Sequence, residues 1–257
     1  MSVRFDIADH VARVTIDRPE RMNAIDTATH RRLAEIWDQI EVNPDIRCAV
    51  LTGAGDRVFS AGADLKDDTG LSGVEYWKGL SKHGYRGLSL RPMSTPVIAR
   101  VNGLALGGGL EMVLGCDIVI AADTARFALP EAKVGRVPLD GGMVLLPRLI
   151  PRNIAIGMMM TGRMVSAAEM ARYGLLNAVV PLADLDAEVD AWVADILRAA
   201  PLSLRAIKAV ARKTASLSAH EAYEQGASEL AEALGSEDAN EGVLAFRERR
   251  APVWRGR

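Results

Sequence analysis

The hydrophobic positions in the amino-terminal half switch between the period of a strand and the period of a helix. Two short β-type runs, Val3 to Ile7 and Val11 to Ile16, flank the turn residues Ala8-Asp9-His10 and predict a hairpin. From Thr27 to Ile40 the apolar residues recur at helical spacing, and the apolar run from Cys48 to Thr52 predicts a buried strand. A helix and then a strand are therefore expected to follow the hairpin.

The same kinds of element recur further along the chain. The pattern predicts a strand from Pro96 to Val101, a glycine-opened helix from Gly107 to Gly115 and a strand from Cys116 to Ala122. Strands that alternate with helices in this way are typical of parallel sheets with helical crossovers. We therefore predict an α/β domain.

The pattern becomes mainly helical past Glu131. We predict helices at Met143 to Leu149, Ile154 to Met160 and Ala167 to Tyr173, a strand at Asn177 to Val180, and helices at Asp184 to Ala199, Leu202 to Ser216, Ala219 to Leu234 and Glu237 to Arg249. The predicted division is a core of residues 1–199 and a helical region of residues 200–257. A polar, glycine-containing loop from Asp67 to Gly84 is the segment that we predict to be most mobile.

Composition and charge exclude several classes of protein. The 257 residues are 49% hydrophobic, which is enough to bury a large core, so we do not expect disorder. Lysine and arginine number 31 against 33 acidic residues, so no net charge favours nucleic acid or an anionic membrane as a partner. Cys48 and Cys116 lie in apolar runs and indicate neither a disulfide nor a metal site. Without a signal segment or a membrane-spanning run, the chain is expected to be cytoplasmic.

The segment from Asn102 to Glu111 carries the most informative chemical pattern. Gly107, Gly108 and Gly109 stand between a predicted strand and a predicted helix, where unbonded amides at the helix start can hold a negative oxygen. Alternatively, the glycines only permit tight packing of the strand on the helix. A P-loop and a dinucleotide fingerprint do not fit, because the required lysine and the required glycine spacing are missing.

Two acids follow predicted strands and have apolar neighbours. Glu111 is in the first turn of the glycine-opened helix, where the helix dipole alone would favour a carboxylate. Glu131, at the end of Phe127-Ala128-Leu129-Pro130-Glu131, is the second acid. Burial and mutual repulsion can separate the pKa values of such a pair, so that one acts as a base and the other as an acid.

A third segment, Val58 to Lys66, contains small residues from Ser60 to Ala63. The N–H of Ala63 could be a second donor beside the N–H of Gly108, and two convergent donors form an oxyanion hole. A Ser60 nucleophile is the competing hypothesis. The sequence disfavours it, because Ser60 lacks the strand-to-helix Gly-x-Ser-x-Gly elbow and no histidine stands in a patterned relation to it.

These three segments, in this order and spacing, resemble the enoyl-CoA hydratase/isomerase (crotonase) family. The resemblance extends over nearly the whole chain and includes Ile16-Asp17-Arg18-Pro19, Asn23-Ala24, Ser236-Glu237-Asp238 and Ala245-Phe246-Arg247-Glu248-Arg249-Arg250. It implies a spiral of β-β-α units. It also implies that the helical carboxy-terminal region, residues 200–257, mediates assembly into a homotrimer or a hexamer.

The resemblance implies roles for individual residues as well. The amides of Ala63 and Gly108 would hold the thioester carbonyl, Glu111 would activate water, and Glu131 would exchange the proton at the α-carbon. Family members that only shift double bonds often lack one of the two acids, so the presence of both favours addition or loss of water across the α,β double bond. Coenzyme A would be part of the substrate, and no metal or prosthetic group is expected.

Four residues match family positions that approach the coenzyme A part of the substrate. Ala61 and Lys66 lie in the segment of Ala63, whereas Phe246 and Arg249 would meet the adenine and the phosphates, often from a neighbouring subunit. Three of them have an alternative interpretation. Lys66 and Arg249 could be solvated charges, and Phe246 could be ordinary helix packing.

Local motifs give a lead to the subfamily. The stretch from Phe127 to Gly135 and the ending from Pro252 to Arg257 look most like those of carnitinyl-CoA dehydratases. One departure concerns Leu139, since hydratases of the family usually carry glycine there, close to the catalytic water. The neighbouring Asp140 could be a third acid or a helix N-cap.

Two further hypotheses stay open. Within the family, the chain could be an isomerase or another enolate-forming enzyme such as a decarboxylase or a hydrolase. Outside catalysis, it could be a relative that binds RNA or serves as a scaffold. That hypothesis requires a basic surface and tolerates loss of an acid, and both the balanced charge and the presence of Glu111 and Glu131 disfavour it.

Overall fold

A computed structural model describes residues 2–67, 70, 73–79 and 88–257. In these ranges the chain forms ten strands: β1 (Val3–Ala8), β2 (Val11–Ile16), β3 (Cys48–Gly53), β4 (Val58–Ser60), β5 (Val97–Val101), β6 (Leu104–Leu106), β7 (Ile118–Ala122), β8 (Arg126–Ala128), β9 (Val165–Ser166) and β10 (Ala178–Val180). The described residues also form eleven helices: α1 (Thr27–Val42), α2 (Gly73–Gly79), α3 (Gly108–Leu114), α4 (Gly142–Leu149), α5 (Arg152–Thr161), α6 (Ala167–Arg172), α7 (Leu185–Leu197), α8 (Pro201–Lys213), α9 (Ala219–Gln225), α10 (Ser228–Leu234) and α11 (Glu237–Glu248). The loop predicted from Asp67 to Gly84 lies partly outside the described residues, and α2 interrupts it.

The larger sheet contains six strands in the order β1-β2-β3-β5-β7-β10. The first two strands form the predicted antiparallel hairpin, and the remaining neighbours pair in parallel. One face packs on α1, where Leu33, Ile36 and Trp37 are fully buried, and the other packs on α7 through Leu185 and Val189. A sheet buried on both faces explains why its strands read as continuous apolar runs. The predicted α/β class is confirmed.

A second sheet of four short strands, in the order β4-β6-β8-β9, was not predicted from the residue pattern. Its first three strands pair in parallel, and each has only three residues. Such strands are too short to show an alternating pattern. Each follows a long strand of the larger sheet, so the turns after β4, β6 and β8 all leave the same edge of the smaller sheet. Those turns contain Ala63, Gly108 and Glu131.

One predicted helix is wrong in its extent. The segment from Ala219 to Leu234 forms two helices, α9 and α10, instead of one. Gly226 has a φ of 53°, and Ala227 is extended with a φ of −155°, so the helical hydrogen bonding stops there. Glycine is the residue that tolerates this positive φ without strain.

Polar side chains connect the carboxy-terminal region, residues 200–257, to the core. Lys208 on α8 pairs with Asp117 at 2.6 Å, and the indole N–H of Trp254 donates to Arg198 O at 2.8 Å. Ile207 and Leu234 are 67% and 72% exposed, so this region presents apolar side chains to its surroundings.

Among the described residues, no group of three or more His, Cys, Asp or Glu side chains could hold a metal ion. In the same part of the chain, each helix is too short or too polar to cross a bilayer.

Candidate active site

Two buried asparagines fix the loop that leads from β3 into β4. The side-chain amide of Asn102 donates to Gly53 O at 3.0 Å and to Gly55 O at 2.7 Å. That of Asn23 donates to Ala54 O at 3.0 Å, and both asparagines are fully buried. Buried carbonyls need such partners, so the direction in which β4 begins is set by these two side chains.

The turn after β4 leaves the Ala63 amide without an acceptor in the described part of the chain, although its neighbours are bonded. The Gly62 carbonyl accepts from Ile25 N at 2.8 Å. Because a peptide unit is planar and trans, the Ala63 N–H points away from Ile25. The surrounding amides all donate, namely Ala61 to Met22 O at 3.0 Å, Gly62 to Ser60 Oγ at 3.1 Å and Asp64 to Ile25 O at 2.9 Å.

The Ser60 hydroxyl has a structural use. It is fully buried, donates to Asn23 O at 2.8 Å and accepts from the Gly62 N–H. A hydroxyl that donates its proton to a carbonyl, and that has no histidine bonded to it in the described ranges, is poorly suited to nucleophilic attack. The Ser60 nucleophile is therefore disfavoured by the structure as well as by the sequence.

The start of α3 meets the turn after β4. Gly107 has a φ of 53°, and the Gly108 amide that follows has no acceptor among the described residues. A Cβ placed on Gly62 would lie 2.7 Å from Gly108 N, and one placed on Gly109 would lie 2.2 Å from Ser60 O. The two glycine-containing turns are therefore in direct contact, with no room for a side chain between them.

Glu111 is held by a backbone clamp that the sequence did not reveal. Its Oε1 accepts from Asp140 N at 2.8 Å and from Gly142 N at 2.9 Å, and the residue is only 3% exposed. Gly141, between the two donors, has a φ of 109°, which explains the glycine at that position. The Gly141-Gly142 pair was the available signal for a close approach of backbone to a ligand or side chain.

The N-cap proposed for Asp140 is wrong. The cap of α4 is Gly141, and no side chain accepts a hydrogen bond there. Asp140 is instead buried beside Glu111, with 2% of its surface exposed and its N–H given to the Glu111 carboxylate. A third acid in this position stays a prediction.

Glu131 is partly buried beside the start of α3. It begins a short 3₁₀ turn, Glu131–Val134, directly after β8, and its Oε2 is buried without a hydrogen-bond partner among the described residues. Burial raises the pKa of the Glu131 carboxyl. A Cβ on Gly107 would lie 2.9 Å from Glu131 Oε1, and Gly107 O accepts from Glu111 N at 3.0 Å. The Glu131 carboxyl therefore lies beside Gly107, and Glu111 is in the first turn of the helix that follows Gly107.

The residues predicted to meet coenzyme A fall into two regions. Ala61 and Lys66 lie in the turn after β4, and Lys66 is exposed with its N–H donated to Asp64 Oδ1 at 3.1 Å. Phe246, which is 85% exposed, and Arg249, which ends α11 with a φ of 55°, belong to the carboxy-terminal helices.

Comparison with known proteins identifies the family. Residues 6–257 match the family described as enoyl-CoA hydratase/isomerase. The chain belongs to this family.

Curated relatives within the family carry the name carnitinyl-CoA dehydratase. Those of Shigella flexneri and Escherichia coli K12 are each 41% identical to the chain over 252 residues, which is 96% of the chain and 95% of the relative. That of Salmonella typhi is 40% identical over the same shares.

Solved structures of the family have the same fold. An enoyl-CoA hydratase from Bacillus anthracis superposes with a TM-score of 0.93 at 32% identity, covering 100% of both chains. An enoyl-CoA hydratase from Mycobacterium tuberculosis H37Rv superposes with a TM-score of 0.91 at 33% identity, covering 100% of this chain and 99% of the other. The predicted crotonase-like fold with a helical carboxy-terminal region is confirmed.

The contact between the two turns predicts the effect of adding a methyl group. Gly62→Ala puts a Cβ 2.7 Å from Gly108 N, so the turns must separate and kcat on an enoyl-CoA should fall about 100-fold. Gly55→Ala is the matched control, because Gly55 has the same φ of 82° but its Cβ would meet nothing within 4 Å. Gly55→Ala should lose stability through the same backbone strain and keep the kcat of the wild type. Equal kcat losses in both variants would show that backbone strain, and not the contact, matters.

The environment of Glu131 predicts a pH-dependent stability. Burial raises the pKa of the Glu131 carboxyl in the folded chain, so the folded chain binds the carboxyl proton more tightly than the unfolded chain does. The free energy of unfolding therefore falls as the pH rises from the pKa of the unfolded chain to that of the folded chain. Glu131→Gln should therefore raise Tm relative to wild type at pH 8, and the gain should vanish below about pH 4, where the carboxyl is protonated in both states. Thermal unfolding at both pH values measures this. Equal Tm values for Glu131→Gln and wild type at pH 8 would contradict the prediction.

Proposed function

We propose that this protein is a hydro-lyase that adds water to, or removes it from, the α,β double bond of an acyl-CoA thioester, using Ala63, Gly108, Glu111 and Glu131. The observation that carries the proposal is the contact between two turns that each present an amide without an acceptor among the described residues, with the Glu131 carboxyl beside Gly107 and Glu111 in the first turn of α3.

The two amides would polarise the thioester carbonyl. As hydroxide adds to the β-carbon, the electrons of the double bond move toward the carbonyl, and enolate charge collects on its oxygen. Donors from Ala63 and Gly108 stabilise that charge, and each such donor contributes about 3 kcal/mol to comparable transition states. They need no rearrangement, because the bonded neighbours already hold both turns.

The two acids have different surroundings, which suits them to different tasks. Two amide donors to Oε1 of Glu111 favour its carboxylate form, so Glu111 is the base that takes a proton from water. Burial of Glu131 favours its protonated form, so Glu131 gives a proton to the α-carbon in hydration and removes it in dehydration.

Residues of the turn after β4 and residues of the carboxy-terminal helices would both bind coenzyme A. Lys66 and Ala61 adjoin the Ala63 donor, whereas Phe246 and Arg249 would reach the adenine and phosphates of a substrate held by a neighbouring subunit. The exposed apolar side chains of Ile207, Leu234 and Phe246 support assembly through residues 200–257 into a homotrimer or hexamer, with residues 1–199 as the catalytic core.

The relatives suggest the acyl group and the setting. Because several relatives named carnitinyl-CoA dehydratase are 40–41% identical over nearly the whole chain, we propose a betaine-type acyl chain, interconverted between hydroxyacyl and enoyl forms. The near-balance of charges argues against nucleic acid as a partner. Cys48 and Cys116 are free thiols, as is usual in the reducing cytoplasm, so we propose a cytoplasmic location.

Removal of either acid tests the paired-acid mechanism. Glu111→Gln and Glu131→Gln should each lower kcat by at least about 1,000-fold, because each loses one proton transfer while the amides that hold the thioester are untouched. Loss of enoyl absorbance measures turnover, and calorimetry measures acyl-CoA binding, which should be retained. Near wild-type hydration by either variant would refute the mechanism.

A panel of enoyl-CoA substrates tests the acyl group and the reaction type. The protein should hydrate a betaine-type enoyl-CoA with a higher kcat/KM than straight-chain, branched or aromatic analogues, and product analysis should find the hydroxyacyl-CoA. A shifted double bond without incorporated water would support an isomerase instead. Preference for a neutral chain would keep the hydratase and reject the betaine substrate.

A further inference from the structure

We propose that Arg18 and Asp64 are positioning residues that aim the Ala63 amide at the thioester carbonyl, an inference that rests on the proposed function. Arg18 Nη2 lies 3.1 Å from Asp64 Oδ2, and Arg18 Nη1 donates to Ala24 O at 2.6 Å. The guanidinium therefore contacts both chain segments of the bridge between Ile25 and Ala63, one residue away from the bridge on each side.

This placement matters because the bridge sets the direction of the Ala63 N–H. The bond from Ile25 N to Gly62 O, at 2.8 Å, orients the peptide that joins Gly62 to Ala63, and the bond from Asp64 N to Ile25 O, at 2.9 Å, holds the next peptide. A shift of Ala24 or Asp64 would rotate the donor away from the carbonyl oxygen. Misplacement by about 1 Å can cost 100-fold in rate.

The Arg18–Asp64 pair is suited to this task by burial and geometry. Its side chains are only 15% and 12% exposed, so the attraction is weakly screened by solvent. Arg18 also pairs with Asp26 Oδ2 at 3.0 Å, and Asp26 caps α1 by accepting from Thr29 N at 2.8 Å. The planar fork of arginine can hold these partners simultaneously, which the point charge of lysine cannot.

Asp64→Asn is the most selective variant for a test. The remaining Oδ1 can still accept from Lys66 N, whereas the new amide group replaces the oxygen that faces Arg18. We expect kcat to fall about tenfold or more, with KM changed less than about threefold, because an oxyanion donor acts mainly in the transition state. Arg18→Lys keeps the charge but lacks the planar fork, so its kcat should lie between that of wild type and that of Arg18→Met.

A spectroscopic readout separates positioning from general stability. The carbonyl stretching band of a bound enoyl-CoA, labelled with ¹³C at the thioester carbon, should lie at lower frequency on the wild type than in water, since two N–H donors polarise the bond. Asp64→Asn should lose part of that displacement. Asp117→Asn is the matched control, because it breaks another partly buried ion pair, between Asp117 and Lys208 of α8, at 2.6 Å. It should change neither the band nor kcat.

The possible results distinguish the inference from the function on which it rests. A wild-type band without displacement would overturn the oxyanion hole and the inference together. A displaced wild-type band that Asp64→Asn leaves unchanged would overturn the positioning role alone, even if that variant loses stability. A reduced displacement in Asp64→Asn, with the Asp117→Asn band unchanged, would establish the role.

Discussion

The candidate site depends on one close contact, between the turn that follows β4 and the first residues of α3. Main chain lies against main chain there, because Gly62 and Gly109 have no side chains to separate the segments. Parallel pairing of β4 with β6 delivers both turns to the same edge of the smaller sheet. The amides of Ala63 and Gly108 are then brought to the region where Glu131 meets Gly107.

Backbone N–H groups stabilise the carboxylate of Glu111 in this site. The Glu111 carboxylate is bonded to two amides, so it is solvated by the protein after water has been removed. Glu131 has a buried Oε2 without such a partner in the described chain, and burial raises the pKa of its carboxyl. The two acids of the proposed mechanism therefore have different surroundings, a double backbone clamp for Glu111 and a buried oxygen without a described partner for Glu131.

Much of the fold was predictable from the sequence because α1 has a helical period of apolar residues and the buried strands are continuous apolar runs. The hairpin, α1, β3 and α3 are confirmed within one or two residues. The smaller sheet was not predictable from pattern, because three-residue strands have too few positions to show a period. The single helix predicted from Ala219 to Leu234 failed because one glycine and one extended residue interrupt it.

The candidate site was predictable as a set of residues but not as a geometry. Glycine runs and acids beside apolar neighbours indicated Ala63, Gly108, Glu111 and Glu131, and the resemblance added their roles. The clamp on Glu111 was missed, since its donors are main-chain groups 29 and 31 residues away, and the Gly141-Gly142 pair indicates a close approach without indicating its partner. Arg18 and Asp64 were visible only as part of a motif, because their pairing depends on a bridge between distant segments.

The most direct test of the central claim is a crystal structure of the protein with an acyl-CoA thioester bound. The measured quantities are the distances from the thioester carbonyl oxygen to Ala63 N and to Gly108 N. Both should lie at about 2.7–3.1 Å, with the Glu111 and Glu131 carboxylates on either side of the α- and β-carbons. A carbonyl oxygen bonded to neither amide, or a substrate bound away from these two turns, would contradict the account.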